Sequence, residues 1–173
     1  MPRHVVLVGL PGVGKSTVGH LVSEELPAPM IDIDQLLVRE TGRPVDQIFG
    51  MLGEPYFRQL ERKAVLAALD GDPAVIVPGG GWAAQPGQME TAMRCALIIY
   101  LKCTAGTAAR RSEQGESRPL VAGPDPLQRM SALLHERESF YRLAHHEVSA
   151  GTRDAAEVAR DVVALAKADA GWM

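Results

Sequence analysis

The sequence predicts an α/β fold in three layers, a five-stranded parallel sheet with helices on both faces. Short runs that are apolar at every position recur along the chain, as strands buried on both faces require. Helical periodicity follows each run, and strands alternating with helices imply parallel crossover units. The 173 residues, 46% hydrophobic and 23% charged, suit one domain over residues 1–173 that buries its own core.

Val5-Val6-Leu7-Val8 is the first strand, ended by Gly9. Helical spacing runs from Lys15 to about Leu26, with Val18, Leu21 and Val22 on one face, until Pro27 and Pro29 stop it. Met30-Ile31-Asp32-Ile33 reads as the second strand. Asp34 to Glu40 reads as a helix ended by Thr41-Gly42, and Pro44 to Leu52 as another short one. Glu54 to Leu69 is strongly amphipathic: Phe57, Leu60, Ala64, Ala67 and Ala68 share one face, and Arg58 and Arg62 lie on another. Ala74 to Val77 is the third strand, stopped by Pro78-Gly79-Gly80-Gly81. A helix around Gln88 to Arg94 leads to the fourth strand, Ala96 to Leu101, and Thr104 to about Ser112 is helical. From Glu113 to Pro126 the periodicity fails amid Gly115, Pro119, Gly123, Pro124 and Pro126. A loop that long in a compact domain is often functional, and a mobile lid is expected at about residues 112–126. Leu127 to Ala144 is a long helix, His146 to Ser149 a last short strand, and Asp154 to Lys167 a closing helix.

Gly9-Leu10-Pro11-Gly12-Val13-Gly14-Lys15-Ser16-Thr17 satisfies G-x-x-x-x-G-K-[ST] between a predicted strand and a predicted helix. By average composition a chain of this size would carry that motif by chance less than about once in a hundred. Its glycines let backbone N–H groups turn toward a phosphate, and the following helix aims its positive N-terminus at the same anion. The segment Gly12, Val13, Gly14, Lys15, Ser16 and Thr17 is therefore the candidate ATP site. Lys15 reaches the β- and γ-phosphates and the Ser16 hydroxyl ligates Mg²⁺. A dinucleotide-binding turn would want glycine or alanine where Thr17 stands and has no use for Lys15-Ser16. The fold class is thus a three-layer P-loop fold.

Asp32 and Asp34 flank Ile33 at the end of the second strand, and strand alternation would put both on one face. Carboxylates at the C-terminal edge of a parallel sheet face the ligand crevice. One could serve Mg²⁺ through water and the other accept a proton from an attacking hydroxyl, while Asp34 is also well placed to cap the next helix. Gly79-Gly80-Gly81 follows the third strand at the same edge. Three glycines cost chain entropy and make sense where backbone must approach a ligand closely.

Taken together the residues resemble the shikimate kinase family. The likeness covers nearly the whole chain. It rests on Gly9 to Thr17, Asp32-Ile33-Asp34, Thr41-Gly42-Arg43, Ile48-Phe49, Gly53-Glu54, Phe57-Arg58-Gln59-Leu60-Glu61, Gly79-Gly80-Gly81, Arg118-Pro119-Leu120 and Glu136-Arg137. The resemblance implies transfer of the γ-phosphoryl of ATP to the 3-hydroxyl of shikimate, with Mg²⁺. It implies that Asp34 binds the acceptor hydroxyls and serves as base, and that Arg58 and Arg137 grip the carboxylate. Gly79, Gly80 and Gly81 would form the pocket wall, lined by Phe49, Phe57, Glu61, Pro119 and Leu120. Arg118 would close over the transferring group, Arg111 would stack on adenine, and Asp32 would be the outer magnesium residue. Arg110 beside Arg111 could serve the base instead. Two places depart from the family pattern: Trp82 follows the glycines where a small residue is usual, and Ser139-Phe140 precede Tyr141 where proline and leucine are usual.

A net charge of −3 lacks the positive excess of a nucleic-acid binder, and no apolar run approaches the length that spans a bilayer. Met1-Pro2-Arg3-His4 leads straight into a strand rather than a secretory signal. Cys95 and Cys103 form neither a CxxC pair nor a disulfide framework. The expectation is a cytoplasmic monomer acting on a small molecule, with no nucleic-acid or membrane partner. His145-His146 would point to opposite faces of a strand and so rarely share one ion. The alternatives are a kinase for a related cyclic hydroxy or amino acid or a gluconate-like acceptor, and a nucleotide-binding domain without catalysis. The intact Lys15, Ser16, Asp34 and Arg118 speak against the last, and the Asn-Lys-x-Asp base-reading motif of a switch GTPase is absent.

Overall fold

The computed structural model describes residues 1–113 and 125–173. Five parallel strands form one sheet in the order β2-β3-β1-β4-β5, with β1 His4–Val8, β2 Met30–Asp32, β3 Val75–Val77, β4 Ala96–Lys102 and β5 His146–Ser149. The helices between them are α1 Lys15–Glu25, α2 Ile33–Thr41, α3 Val45–Leu52, α4 Glu54–Asp70, α5 Gln88–Met93, α6 Ala105–Glu113, α7 Pro126–Tyr141 and α8 Ala155–Asp169. This is the predicted architecture.

Alternation along the central strands builds the two faces. Val5, Leu7, Val75, Val77, Leu97 and Ile99 point to one side and pack with Val18, Val22, Val158 and Val162 of α1 and α8. Val6, Val8, Ile76, Ile98 and Tyr100 point to the other and meet apolar residues of α2 to α7, among them Leu37, Phe57, Met89, Met130 and Leu133. Each such buried side chain contributes about 1.5–3 kcal/mol, so β1, β3 and β4 are rigid mounts for the loops that leave them.

Strand order fixes where a ligand can lie. From β1 the chain crosses through α1 to β2 on one side, whereas from β3 it crosses through α5 to β4 on the other. Neighbouring β1 and β3 therefore open a crevice at their carboxyl ends. The phosphate-loop motif leaves β1 there and the three glycines leave β3.

Three local expectations are corrected. Strand β2 ends at Asp32, not Ile33, because Asp32 is the N-cap of α2: its Oδ1 accepts from Gln35 N at 3.1 Å. Asp34 is therefore helical and is not the cap. Pleat alternation does not explain its placement beside Asp32. On α4 the buried face is Phe57, Arg58, Glu61, Val65 and Ala68, with Ala67 exposed. The face is turned by about one residue, because an ion pair lets Arg58 and Glu61 face inward. The expected loop is also shorter. Ser112 and Glu113 belong to α6, and Pro126 opens α7, where its fixed φ suits the first turn. The rest of that lid region lies outside the described residues. Among those described, no helix is long and apolar enough to cross a membrane.

Candidate active site

A cleft of about 210 Å³ occupies the crevice, lined on one side by Pro11, Gly12 and Gly14 to Thr17 and on the other by Asp34, Phe49, Phe57, Arg58, Glu61, Gly79 to Gly81 and Arg137. Almost every residue singled out in the sequence meets here. Arg118, Pro119 and Leu120 lie outside the described residues.

On the phosphate side, Gly12 takes φ +84°, and a Cβ there would lie 2.6 Å from Ala108 O, so only glycine lets the loop pass α6. Gly14, in a left-handed conformation, leads into α1. The Lys15 side chain is only 8% exposed, and its Nζ donates to Gly9 O at 2.7 Å and Leu10 O at 3.0 Å. An ammonium is thus poised over the loop's anion-binding face. Ser16 Oγ donates to Asp32 Oδ2 at 2.5 Å. A hydroxyl paired with a carboxylate is the hard-oxygen donor set that suits Mg²⁺ completed by phosphate oxygens and water. Among the described residues no group of three His, Cys, Asp or Glu side chains forms a metal cage. His145 Nδ1 accepts from Ile98 N at 3.0 Å, and His146 Nε2 meets Asp169 Oδ2 at 2.7 Å.

A second pocket, about 280 Å³, adjoins the loop and is lined by Gly12 to Gly14, Thr17, Arg111, Ala150, Arg153, Ala155 and Val158. Arg111 reaches it by donating to Val13 O at 2.8 Å and Gly151 O at 2.6 Å, while Arg110 is exposed and turns to Thr107. The geometry favours Arg111 of the two. Ala150, Arg153 and Ala155 were missed from the sequence, although a loop after the last parallel strand reaches this edge by topology.

On the acceptor side, Arg58 and Arg137 are 6% and 4% exposed. A Cβ built on Gly81 would collide with Arg58 Nη2 and lie 2.9 Å from Arg137 Nη2, so both guanidinium groups converge on the same glycine. Arg58 lies 5.6 Å and 5.4 Å from the ring centroids of Phe49 and Phe57, held by cation–π attraction. Arg58 Nη1 donates to Glu61 Oε1 at 2.9 Å. Of the two buried cations only Arg58 is paired with Glu61, and the exposed Glu54 lies 3.7 Å from Arg58 Nε. That excess of buried positive charge suits an anionic ligand with planar, two-oxygen geometry.

Glu61 was read from the sequence only as lining. It is fully buried, and Oε2 packs against Gly79 without a full hydrogen bond among the described residues. Burial raises its carboxyl to about 7, against the pull of Arg58 and with the push of Asp34. The neutral carboxyl's advantage is full below the ordinary value near 4.5 and is lost as pH rises through about 7. Wild type should therefore lose a few kcal/mol of stability between pH 4.5 and 7.5 through this group, and Glu61→Gln should lack that loss. Denaturant melts of both at pH 5 and 8 check this; parallel pH curves would contradict it.

Asp34 faces the same wall: a Cβ on Gly79 would lie 3.1 Å from Asp34 Oδ1. Trp82, by contrast, is fully buried in the core and does not line the cleft, so its departure leaves the acceptor wall unchanged. Ser139 is exposed and Phe140 packs against the same core, so α7 runs unbroken to Tyr141.

A family model described as shikimate kinase matches residues 11–167. The chain is 40% identical over 144 residues to a shikimate kinase of Mycobacterium avium, covering 83% of this chain and 81% of that protein. It is 37% identical over 161 residues to a shikimate kinase of Caldanaerobacter subterraneus, covering 93% and 94%. Among solved structures, a shikimate kinase from Acinetobacter baumannii in complex with shikimate superposes with a TM-score of 0.92 at 28% identity, covering 98% of this chain and 95% of that one.

Proposed function

The chain belongs to the shikimate kinase family, and from that premise we propose that it transfers the γ-phosphoryl of ATP to the 3-hydroxyl of shikimate, giving shikimate 3-phosphate and ADP. The observation that carries the acceptor assignment is the convergence of Arg58 and Arg137 on Gly81, across the cleft from Lys15. It supports a clamp for a carboxylate fixed at a set distance from the phosphate loop.

In this reading, Arg58 and Arg137 hold the carboxylate, and the glycine backbone lets the acceptor ring lie flat against it. Asp34 hydrogen-bonds the acceptor hydroxyl and takes its proton as the bond to phosphorus forms. Lys15 stabilises charge growing on the transferring group, and the backbone N–H groups of the loop hold the phosphates that leave. Ser16 and Asp32 would hold Mg²⁺, which when bound neutralises phosphate charge. Arg111 and the pocket beside it would take the base, and Arg118 would act on the transferring group. In this reading the chain works as a single domain and as a cytoplasmic monomer.

The clamp is tested by its geometry. Arg58→Ala and Arg137→Ala should each lose about thirty- to a thousandfold in kcat/KM for shikimate, and lysine at either position should restore only part of it, since a point charge cannot make the two-pronged contact. The double variant should lose less than the product of the two, because both act on one group. Wild type should use the methyl ester of shikimate poorly. Ready use of the ester would show that no carboxylate clamp operates.

A further inference from the structure

We propose that the Tyr141 hydroxyl is a positioning group for the acceptor clamp, tying the Arg137 guanidinium to the Gly80 carbonyl and so setting its aim. This rests on the carboxylate reading of the clamp given above.

Tyr141 follows Arg137 by four residues on α7, so both occupy one helix face. Its hydroxyl donates to Gly80 O at 2.6 Å, and the Arg137 guanidinium stands beside the same hydroxyl and the same glycine, with Nη1 3.2 Å from a Cβ built on Gly80. A hydroxyl can donate one bond and accept others, so with its proton given to Gly80 O the Tyr141 hydroxyl keeps its lone pairs for the guanidinium beside it. Burial raises the phenol above its ordinary range, so it keeps the proton it donates. The Tyr141 ring is fully buried and tilted against Tyr100, with centroids 5.1 Å apart, which fixes where the hydroxyl stands.

Arg137 needs such a guide. A long side chain on a helix samples many rotamers, and a clamp works only when the fork meets both carboxylate oxygens. The wall also needs an anchor. Gly80 and Gly81 have no side chains to hold them, and a Cβ on Gly80 would lie 2.9 Å from Pro11 Cδ and 3.2 Å from Arg137 Nη1. Phosphate loop, glycine wall and clamp meet at this point, where one hydroxyl holds two of the three. A need to satisfy a buried phenol does not by itself explain the arrangement. The neighbouring Tyr100 hydroxyl is equally buried and makes no hydrogen bond among the described residues.

The test is steady-state kinetics of Tyr141→Phe, which keeps the ring and its contact with Tyr100. Loss of the hydroxyl should raise the KM for shikimate about tenfold, with the KM for ATP unchanged and kcat little affected. In an Arg137→Lys background the same change should cost less than about twofold, because the group it guides is gone. Should the phenylalanine variant not fold, 3-fluorotyrosine at position 141 alters the hydroxyl without altering the shape. A shift in shikimate KM then supports the proposal and an unchanged KM overturns it. Equal KM for shikimate in wild type and Tyr141→Phe overturns it, as does a full tenfold loss persisting beside Arg137→Lys. If wild type itself fails to phosphorylate shikimate, the acceptor reading fails instead, and the two failures are told apart.

Discussion

Lys15→Ala is expected to lower turnover by about a thousandfold or more while leaving the protein folded. The ammonium is nearly excluded from water, where a charge aimed at developing negative charge is worth most. It already donates to two buried loop carbonyls, Gly9 O and Leu10 O. Losing those bonds costs roughly 1–3 kcal/mol, chiefly at Gly9 O, since Leu10 O still accepts from Val13 N. The loop itself is held by backbone, with Val13 N donating to Leu10 O at 3.2 Å and Val18 N to Gly14 O at 2.9 Å. Single-turnover kinetics beside a thermal melt check both halves. Turnover within tenfold of wild type would remove Lys15 from the reaction.

Asp34→Asn is expected to lower transfer to shikimate by about a hundred- to ten-thousandfold with ATP binding intact, the range lost with a positioned general base. Asn keeps the shape and removes only the ability to take the proton. Asp32→Asn should behave differently. Asparagine caps a helix about as well as aspartate, so the bond from Gln35 N and the start of α2 survive. What it loses is the charge beside Ser16, and the expected result is a higher Mg²⁺ requirement with catalysis recovered at high Mg²⁺. Mg²⁺ titrations of both variants at saturating shikimate separate the roles. A swapped pair of phenotypes would reverse the assignment.

Most of this was legible in the sequence because it depends on local rules. The apolar runs and helical periods mark the five strands and eight helices of the described residues, and the phosphate loop declares itself through spacing alone. Arg58 and Arg137 were singled out through resemblance to a family rather than through physics, whereas Asp34 stood out by its place at the sheet edge and took its role from the resemblance. A lone arginine within a charged helix, as in Phe57-Arg58-Gln59-Leu60-Glu61-Arg62, ordinarily lies on a solvated face. What was misread depends on tertiary partners. The inward turn of α4 follows from the Arg58–Glu61 pair, which no periodicity reveals. The capping role moved from Asp34 to Asp32 because β2 ends one residue early. Trp82 looked like a change in the pocket and is a core residue, since a turn after the glycines, with Trp82 N donating to Gly79 O, sends its ring inward. The raised carboxyl of Glu61 depends on burial among groups distant in sequence.

This cleft is proposed to phosphorylate the 3-hydroxyl of shikimate. The most direct measurement is ADP release coupled to an optical readout, run with ATP and Mg²⁺ against shikimate, gluconate and no acceptor, with the product examined by ³¹P and ¹H NMR. Acceptor-dependent ADP release with shikimate alone, and a phosphate ester on its 3-hydroxyl, are the expected results. ADP release that is equal with gluconate, or a phosphate on another hydroxyl, would contradict it.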